Sequence, residues 1–321
     1  MLITGIAGFI GSSLARVLLA QGAQVRGLDN LTTGAIQNIE EILPRIDFRH
    51  ADILDPHAVG SACEGVDFVF HEAAIPSVPV SIENPIGTNR TNLEGTLCVL
   101  EASRRAGVRR LIYAASSAVY GDSSHLPKAE SMLPEPISPY AVQKAAGEHY
   151  LRSYSRIYGL ETVSLRYFNV FGPRQDPSSP YSGVLAKFIT QMLANEEPTI
   201  FGDGQASRDF TFIDNVVQAN IKACQAPAKQ VVGRVFNVAT GRGVTLKEAY
   251  REIRRIIGYS GSVRYASERA GDIRHSVADI SAARAAFGYE VTTQFEAGLE
   301  RTIAWYREFT ADDFSMMVSA R

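Results

Sequence analysis

The stretch "MLITGIAGFIG", Met1 to Gly11, runs three apolar residues into glycines at 5, 8 and 11, and "SSLARVLLAQG" then follows with a helical period. That order predicts a strand, a tight turn and a helix. Glycines at intervals of three leave a turn whose backbone can approach a pyrophosphate, with the helix N-terminus facing the phosphates. The ordinary alternative is a turn that only packs the helix onto the strand. "QVRGLD" comes next and ends in Asp29, 18 residues after Gly11. An acid there can accept hydrogen bonds from ribose hydroxyls and disfavours a 2′-phosphate, so NAD is expected over NADP. Asp29 could instead be a turn residue.

The same rhythm continues outward. A helix is expected near "IQNIEEIL"; "IDFRHAD", "VDFVFHEAA" and "RRLIYAAS" read as short strands. "TNLEGTLCVLEASRRAG" forms a long helix between the last two, and "ETVSLRYFNV" is a further strand. Gly22 and Gly107 stand where helix C-caps belong. Strands separated by helices predict a doubly wound α/β fold, a parallel sheet covered on both faces. Beyond Arg166 the pattern changes to "FGPRQDPSSPYSG", a helix, "FGDGQASRDF" and mixed short elements. The expected organisation is a dinucleotide-binding domain over 1–166 plus 210–240, a smaller mixed α/β substrate domain over 167–209 plus 241–310, and a tail over 311–321.

Bulk properties narrow the class. The 321 residues, 45% apolar and 21% charged, suit a globular protein larger than one ordinary core. A net charge of −2 offers no basic field for nucleic acid. Three scattered cysteines and six scattered histidines suggest neither disulfides nor a metal site. No membrane span or signal peptide is read, which makes a cytoplasmic protein the expectation.

"SPYAVQK", Ser138 to Lys144, starts a helix with a capping serine and a proline at its first position. Tyr140 and Lys144 then share one face, either as a chemical pair or as two surface side chains. "SSAVYGD" ends the fifth strand and puts Ser116 and Ser117 at a carboxyl end, where open α/β sheets bind ligands.

Glycines spaced by three, together with Tyr-x-x-x-Lys, resemble the extended branch of the short-chain dehydrogenase/reductase superfamily. The runs "RYFNVFGPRQDP", "SVPVSIENP", "GDGQASRDF" and "AGDIRHSVADIS" are most similar to nucleotide-sugar epimerases, namely UDP-N-acetylglucosamine 4-epimerases and their UDP-glucose relatives. The resemblance implies an isomerase with a Rossmann fold, bound NAD and a UDP-sugar substrate. It makes Ser116, Tyr140 and Lys144 the catalytic residues, with Lys144 also on the cofactor ribose. Lys144 and the cationic nicotinamide are expected to acidify Tyr140, helped by the helix start.

The resemblance also places the cofactor against Gly5, Gly8, Phe9, Ile10, Gly11, Asp29, Asn30, Asp52, Ile53, Ala73, Ala74, Asn92 and Tyr167. It assigns the substrate to Ser77, Ser116, Ser117, Asn169, Gln175, Arg208, Arg269, Asp272 and Ser276. Ser276, four residues after Asp272, stands where relatives restricted to glucose and galactose carry a tyrosine. A small residue there implies room for an N-acetyl group. Pro76 and Gly183 depart from the relatives that prefer N-acetylglucosamine. Dehydratases carry an Asp-Glu pair where this chain has Ser117 and Ala118, so epimerisation is the implied reaction. By the same resemblance, helices around Asn92–Arg105 and Tyr140–Tyr158 pair two copies into a homodimer.

Overall fold

The computed structural model describes residues 1–176, 183–268 and 274–308. In the first half the chain forms β1 (Leu2–Thr4), α1 (Phe9–Ala20), β2 (Arg26–Asp29), β3 (Asp47–His50), α2 (Pro56–Cys63) and β4 (Phe68–His71). There follow α3 (Val78–Glu83), α4 (Pro85–Asn89), α5 (Gly95–Arg105), β5 (Arg110–Ser116), α6 (Pro139–Tyr158) and β6 (Glu161–Tyr167). The second half contains β7 (Asn169–Phe171), α7 (Val184–Leu193), β8 (Thr199–Phe201), β9 (Ser207–Arg208), β10 (Phe210–Phe212), α8 (Ile213–Gln225) and α9 (Ala228–Val231). It ends with β11 (Arg234–Val238), β12 (Val244–Thr245), α10 (Leu246–Ile257), β13 (Arg264–Ala266), β14 (His275–Ser276), α11 (Ser281–Phe287) and α12 (Phe295–Glu308).

Seven strands make one sheet in the order β11-β6-β5-β4-β1-β2-β3, with parallel pairing throughout. The order reverses direction between β1 and β4, which opens a crevice at the strands' carboxyl ends. Register brings Thr4 level with His71, and Ser116 level with Tyr167, at that rim. Alternation along each strand sends Ile3, Phe70, Ile112 and Val163 to one face. Leu2, Val69, Leu111 and Tyr113 go to the other, against α2 and α5. The first face packs on α1 and α8, and its core runs on without a break into the smaller lobe.

That lobe is built from three small sheets: β7 with β10, β8 with β13, and β12-β9-β14. β10 pairs with β7 in parallel register, Phe210 level with Asn169 and Phe212 level with Phe171. Arg110, fully buried, ties the two halves of the chain together. Its guanidinium donates to the carbonyls of Ala223, Cys224 and Ala226 at the end of α8 and pairs with Glu161 at 2.7 Å. A cation suits a helix C-terminus, where carbonyls lack partners.

Local geometry departs from expectation in three places. The segment "IQNIEEIL" forms two 3₁₀ turns, Ile36–Asn38 and Glu40–Arg45, rather than an α-helix, with Pro44 inside the second. The long helix expected from residue 91 begins as a wide π turn, Arg90–Glu94. "ETVSLRYFNV" breaks at Phe168 into β6 and β7, which belong to different sheets. Gly22 and Gly107 lie one residue past their helix caps with φ of +80° and +70°, as a left-handed helix exit needs.

Candidate active site

The glycine turn works by leaving out side chains. A Cβ on Gly11 would fall 2.1 Å from the Gly5 carbonyl oxygen, and one on Gly5 would fall 2.7 Å from the Ala73 nitrogen. With those atoms absent, the N-terminus of α1 closes onto the end of β1, and its first turn holds no acidic residue. This bare, electropositive backbone fits a dinucleotide's pyrophosphate. Asp29, at the end of β2, accepts N–H bonds from Ala7 (2.9 Å) and Leu31 (2.8 Å). It is both a turn residue and a wall of the cleft, so neither reading excludes the other. Burial holds its carboxyl above the usual range, although both N–H bonds pull it down. Asn30 donates to Asp52 at 2.8 Å, closing the same end.

These residues border a cleft of about 500 Å³ at the sheet's reversal point, a size suited to an organic ligand. Its walls include Gly5, Gly8, Phe9, Ile10, Gly11, Asp29, Asn30, Asp52, Ile53, Ala73, Ala74, Ser116, Tyr140, Lys144, Tyr167 and Gln175, all expected at the site.

At the far end of the cleft from Asp29, the start of α6 is pinned twice. Ser138 Oγ accepts the Ala141 N–H at 3.2 Å, and Ser81 Oγ accepts that of Tyr140 at 3.0 Å. Lys144, 3% exposed, donates to the Ala114 carbonyl at 2.8 Å and lies over the rings of Tyr113 and Tyr140, at 4.9 and 5.9 Å. Burial lowers its ammonium to about 8, against the opposing pull of Glu72 and Glu148. Behind it, Arg166 on β6 grips Glu148 on α6 with two bonds of 2.8 and 2.7 Å, which tie strand and helix together.

The expected acidification of Tyr140 does not come from the chain itself. Burial pushes the phenol up, and only its hydrogen bond with Ser116 opposes that. Lys144 stands 5.9 Å from the ring centroid, with its nitrogen anchored elsewhere. Its charge is drawn instead toward the Ala114 carbonyl and the carboxyls of Glu72 and Glu148.

A second cavity of about 370 Å³ adjoins the cleft, because Val170 and Gln175 line both. Asn169 and Arg208 line it, along with Phe188, Phe201 and Phe210. Ser276, 8% exposed, pairs in register with Arg208 but borders neither cavity. Arg269 and Asp272 lie outside the described residues.

Three expected site residues support the walls rather than forming them. Ser77 is buried as the N-cap of α3, accepting the Val80 N–H at 3.2 Å. Asn92 is buried behind the cleft, bonded to both backbone groups of Ile75 and to Gln143. Ser117 opens the 3₁₀ turn after β5 and borders neither cavity.

Three charged wall residues, Glu72, Arg174 and Asp176, were missed from the sequence. Arg174 sits in the "GPRQ" run with φ of +69°, donates to Ser13 at 3.3 Å and keeps a buried Nε without a partner among the described residues. Glu72 stands in "HEAA", one residue before Ala73. An acid at the carboxyl end of an apolar strand was the signal available for it.

Residues 1–239 match the family described as the NAD dependent epimerase/dehydratase family. The UDP-glucose 4-epimerase of Mycolicibacterium smegmatis is 38% identical over 95% of this chain and 98% of that protein. The solved UDP-N-acetylglucosamine 4-epimerase of Methanobrevibacter ruminantium, in complex with UDP-N-acetylmuramic acid, is 38% identical with a TM-score of 0.90, over 96% of this chain and 97% of that one. The Thermus thermophilus UDP-glucose 4-epimerase, solved with NAD, is 37% identical with a TM-score of 0.88, over 96% and 99%.

Proposed function

The chain belongs to the NAD dependent epimerase/dehydratase family, and from that premise we propose that it is a UDP-sugar 4-epimerase acting on UDP-GlcNAc/UDP-GalNAc and on UDP-glucose/UDP-galactose. The carrying observation is the contiguity of two cavities. One holds Ser116, Tyr140 and Lys144 beside the glycine turn, and the other is lined by Asn169 and Arg208.

Epimerisation needs a sugar that can turn over while its nucleotide stays fixed. Arg208, with a permanently charged, forked donor set, suits the diphosphate, and Asn169 and Gln175 line the approach. NAD held against the glycine turn would supply hydride-transfer chemistry at sugar carbon 4. Tyr140 takes the proton of the 4-hydroxyl and later gives it back. Ser116, hydrogen-bonded to Tyr140, holds the oxygen in place and passes the proton. Lys144, anchored on Ala114, presents its charge to the cofactor's ribose. With Ser117 and Ala118 after Ser116, no carboxylate stands there to drive water elimination.

Tolerance for the acetamido group rests on Ser276, smaller than a phenol by a six-membered ring; it borders neither cavity itself but pairs in register with Arg208, a wall of the second. Homodimerisation through α6 is part of this proposal. Val142, Tyr150 and Ile157 form an exposed apolar stripe on that helix, at 51%, 41% and 68% exposure, which the sheet does not cover.

The reading is tested by incubating purified protein with each UDP-sugar, UDP-glucuronate included, and separating the 4-epimers. Interconversion of both the acetylated and the plain hexose pairs is expected. Turnover of UDP-glucuronate alone overturns the substrate assignment. A monomer in sedimentation at micromolar concentration removes the dimer.

A further inference from the structure

Glu72 is a wall residue to which the proposed chemistry gives no task. It follows β4 directly, and its N–H still bonds the Thr4 carbonyl at 3.1 Å, so its side chain is held at the rim of the sheet. It borders the cleft beside Ala114, Ser116, Tyr140, Lys144 and Tyr167. The Tyr167 hydroxyl donates to Oε1 at 2.9 Å, and Asn220 on α8 donates to that hydroxyl at 2.8 Å and to the Val216 carbonyl at 2.9 Å. Oε2 is buried and has no hydrogen-bond partner among the described residues. A chain of fixed donors therefore holds one carboxyl oxygen, while the other is left unsatisfied at the catalytic end of the cleft. A buried oxygen in that condition destabilises the fold, and more so when charged. Its presence at a functional site calls for a partner that arrives with the ligand.

The charges around it are few. Lys144 on α6 and the phenol of Tyr167 on β6 act on Glu72. His71 beside it is held neutral by burial, with its pKa pushed down to about 3, its ring bonded to Thr4 and Thr96. The charge of Arg166 is taken up by Glu148. Arg174, in the same cleft, has Arg16, Glu41, Asp214 and Arg301 as its charged neighbours. Asp29 marks the adenosine end of the dinucleotide and Tyr140 the reacting end, so Glu72 lies where the nicotinamide must sit.

We propose that Glu72 is a proton-binding counter-charge to the nicotinamide. It is ionised when the oxidised, cationic ring fills the cleft and protonated when the ring is reduced and neutral, so that it biases the redox state of the bound cofactor. The balance is closed. Reduction brings a hydride, two electrons and one proton, to the ring and removes its positive charge. One further proton from solvent then neutralises the carboxylate. Glu72 exchanges nothing with the ring and acts through the field alone. Burial poises the group for this role by raising its carboxyl to about 7, with Tyr167 and Lys144 pulling the other way.

The test uses NAD-loaded protein without any sugar, so a wrong substrate assignment cannot imitate its outcome. The bound cofactor is equilibrated with a mediator dye from about pH 6 to about pH 8.5, around the ordinary range of a neutral-pH group. The fraction reduced is read from near-ultraviolet absorbance. The couple's own proton changes the reduced-to-oxidised ratio by about tenfold per pH unit, equivalent to about 30 mV. Wild-type protein should exceed that slope near neutrality and reach about thirtyfold per unit, about half a further proton being taken up for a tenfold coupling. Glu72→Gln, of the same shape, should show only the single-proton slope. Above neutral pH it should hold about tenfold more of its cofactor reduced, about 30 mV in potential.

A second variant covers failure of the first to fold. Tyr167→Phe strips the remaining hydrogen bond from the carboxyl and should move the steep region to higher pH. Wild-type slope and potential in Glu72→Gln, or an unmoved steep region in Tyr167→Phe, overturns the proposal.

Discussion

Gly5 and Gly22 offer a matched pair for measuring how tightly the cofactor turn is built. Both have left-handed backbones, with φ of +72° and +80°. An alanine at either position therefore meets the same conformational penalty, about 1–2 kcal/mol. Reduced freedom of the unfolded chain offsets about 0.4–1 kcal/mol of it. Gly22 has nothing within 4 Å of the added Cβ, so Gly22→Ala should destabilise by about 1 kcal/mol. At Gly5 the same atom would fall 2.7 Å from the nitrogen and 2.8 Å from the Cα of Ala73, which are backbone and cannot swing aside. Overpacking of that kind adds about 1–3 kcal/mol, for a total of about 2–4 kcal/mol. Parallel urea titrations of the wild type and both variants, compared at a common slope, isolate the contact between Gly5 and Ala73. NAD affinity should fall in Gly5→Ala and stay unchanged in Gly22→Ala. Midpoints that agree within about 0.5 kcal/mol would mean that Ala73 yields, and the close-approach reasoning would be refuted.

Other outcomes can be checked independently. Tyr140→Phe should lower turnover by at least about 10²-fold while UDP affinity, measured by calorimetry, stays near wild type; near-normal turnover would assign the base elsewhere. Ser276→Tyr should abolish the N-acetyl reaction and largely spare the glucose/galactose one, as read by epimer separation on both pairs. Stability should also carry the signature of Glu72. Its folded pKa, about 7, lies above the ordinary 4.5, so its contribution is full below 4.5 and is lost as pH rises through 7. Cofactor-free wild type should accordingly lose thermal stability relative to Glu72→Gln across that window, and a pH-independent difference between the two would contradict the buried carboxyl.

Much of the nucleotide end is legible in sequence because local chemistry dictates it. Glycines at 5, 8 and 11 and an acid at 29 have meaning without knowledge of distant contacts. Ser138 and Pro139 likewise announce the start of α6, and the structure confirms the serine cap. The parallel sheet follows from alternation alone. What escaped depends on tertiary partners. Ser77 and Asn92 have the polarity of ligand contacts, but their hydrogen-bonding capacity goes to the backbone at Val80 and Ile75. Glu72 becomes conspicuous only when Tyr167, 95 residues later, is found bonded to one of its oxygens. The 3₁₀ turns at 36–45 escaped for a different reason. Their apolar spacing suits an α-helix, but Pro44 limits its extension. Strands β7 and β10 are three residues each, too short for periodicity to show, and they form because each completes the other.

The edge strand β11 has a consequence for how the molecule is made. It is the seventh strand of the dinucleotide-binding sheet, yet it follows β10 and α8 in sequence, with much of the smaller lobe already behind it. During synthesis β6 therefore emerges with its outer edge open, and Phe236 and Val238, both fully buried in the finished protein, arrive only after about seventy more residues. Until then the nascent sheet carries a row of unpaired N–H and C=O groups along β6, the kind of edge on which other chains pair. Arg110 faces the same delay, because the carbonyls that satisfy it lie at 223, 224 and 226. A fragment ending near residue 166 would retain the glycine turn and the Tyr140–Lys144 helix and still be prone to aggregate. The lobe boundary is thus a boundary of shape, while the unit that folds extends at least to Val238.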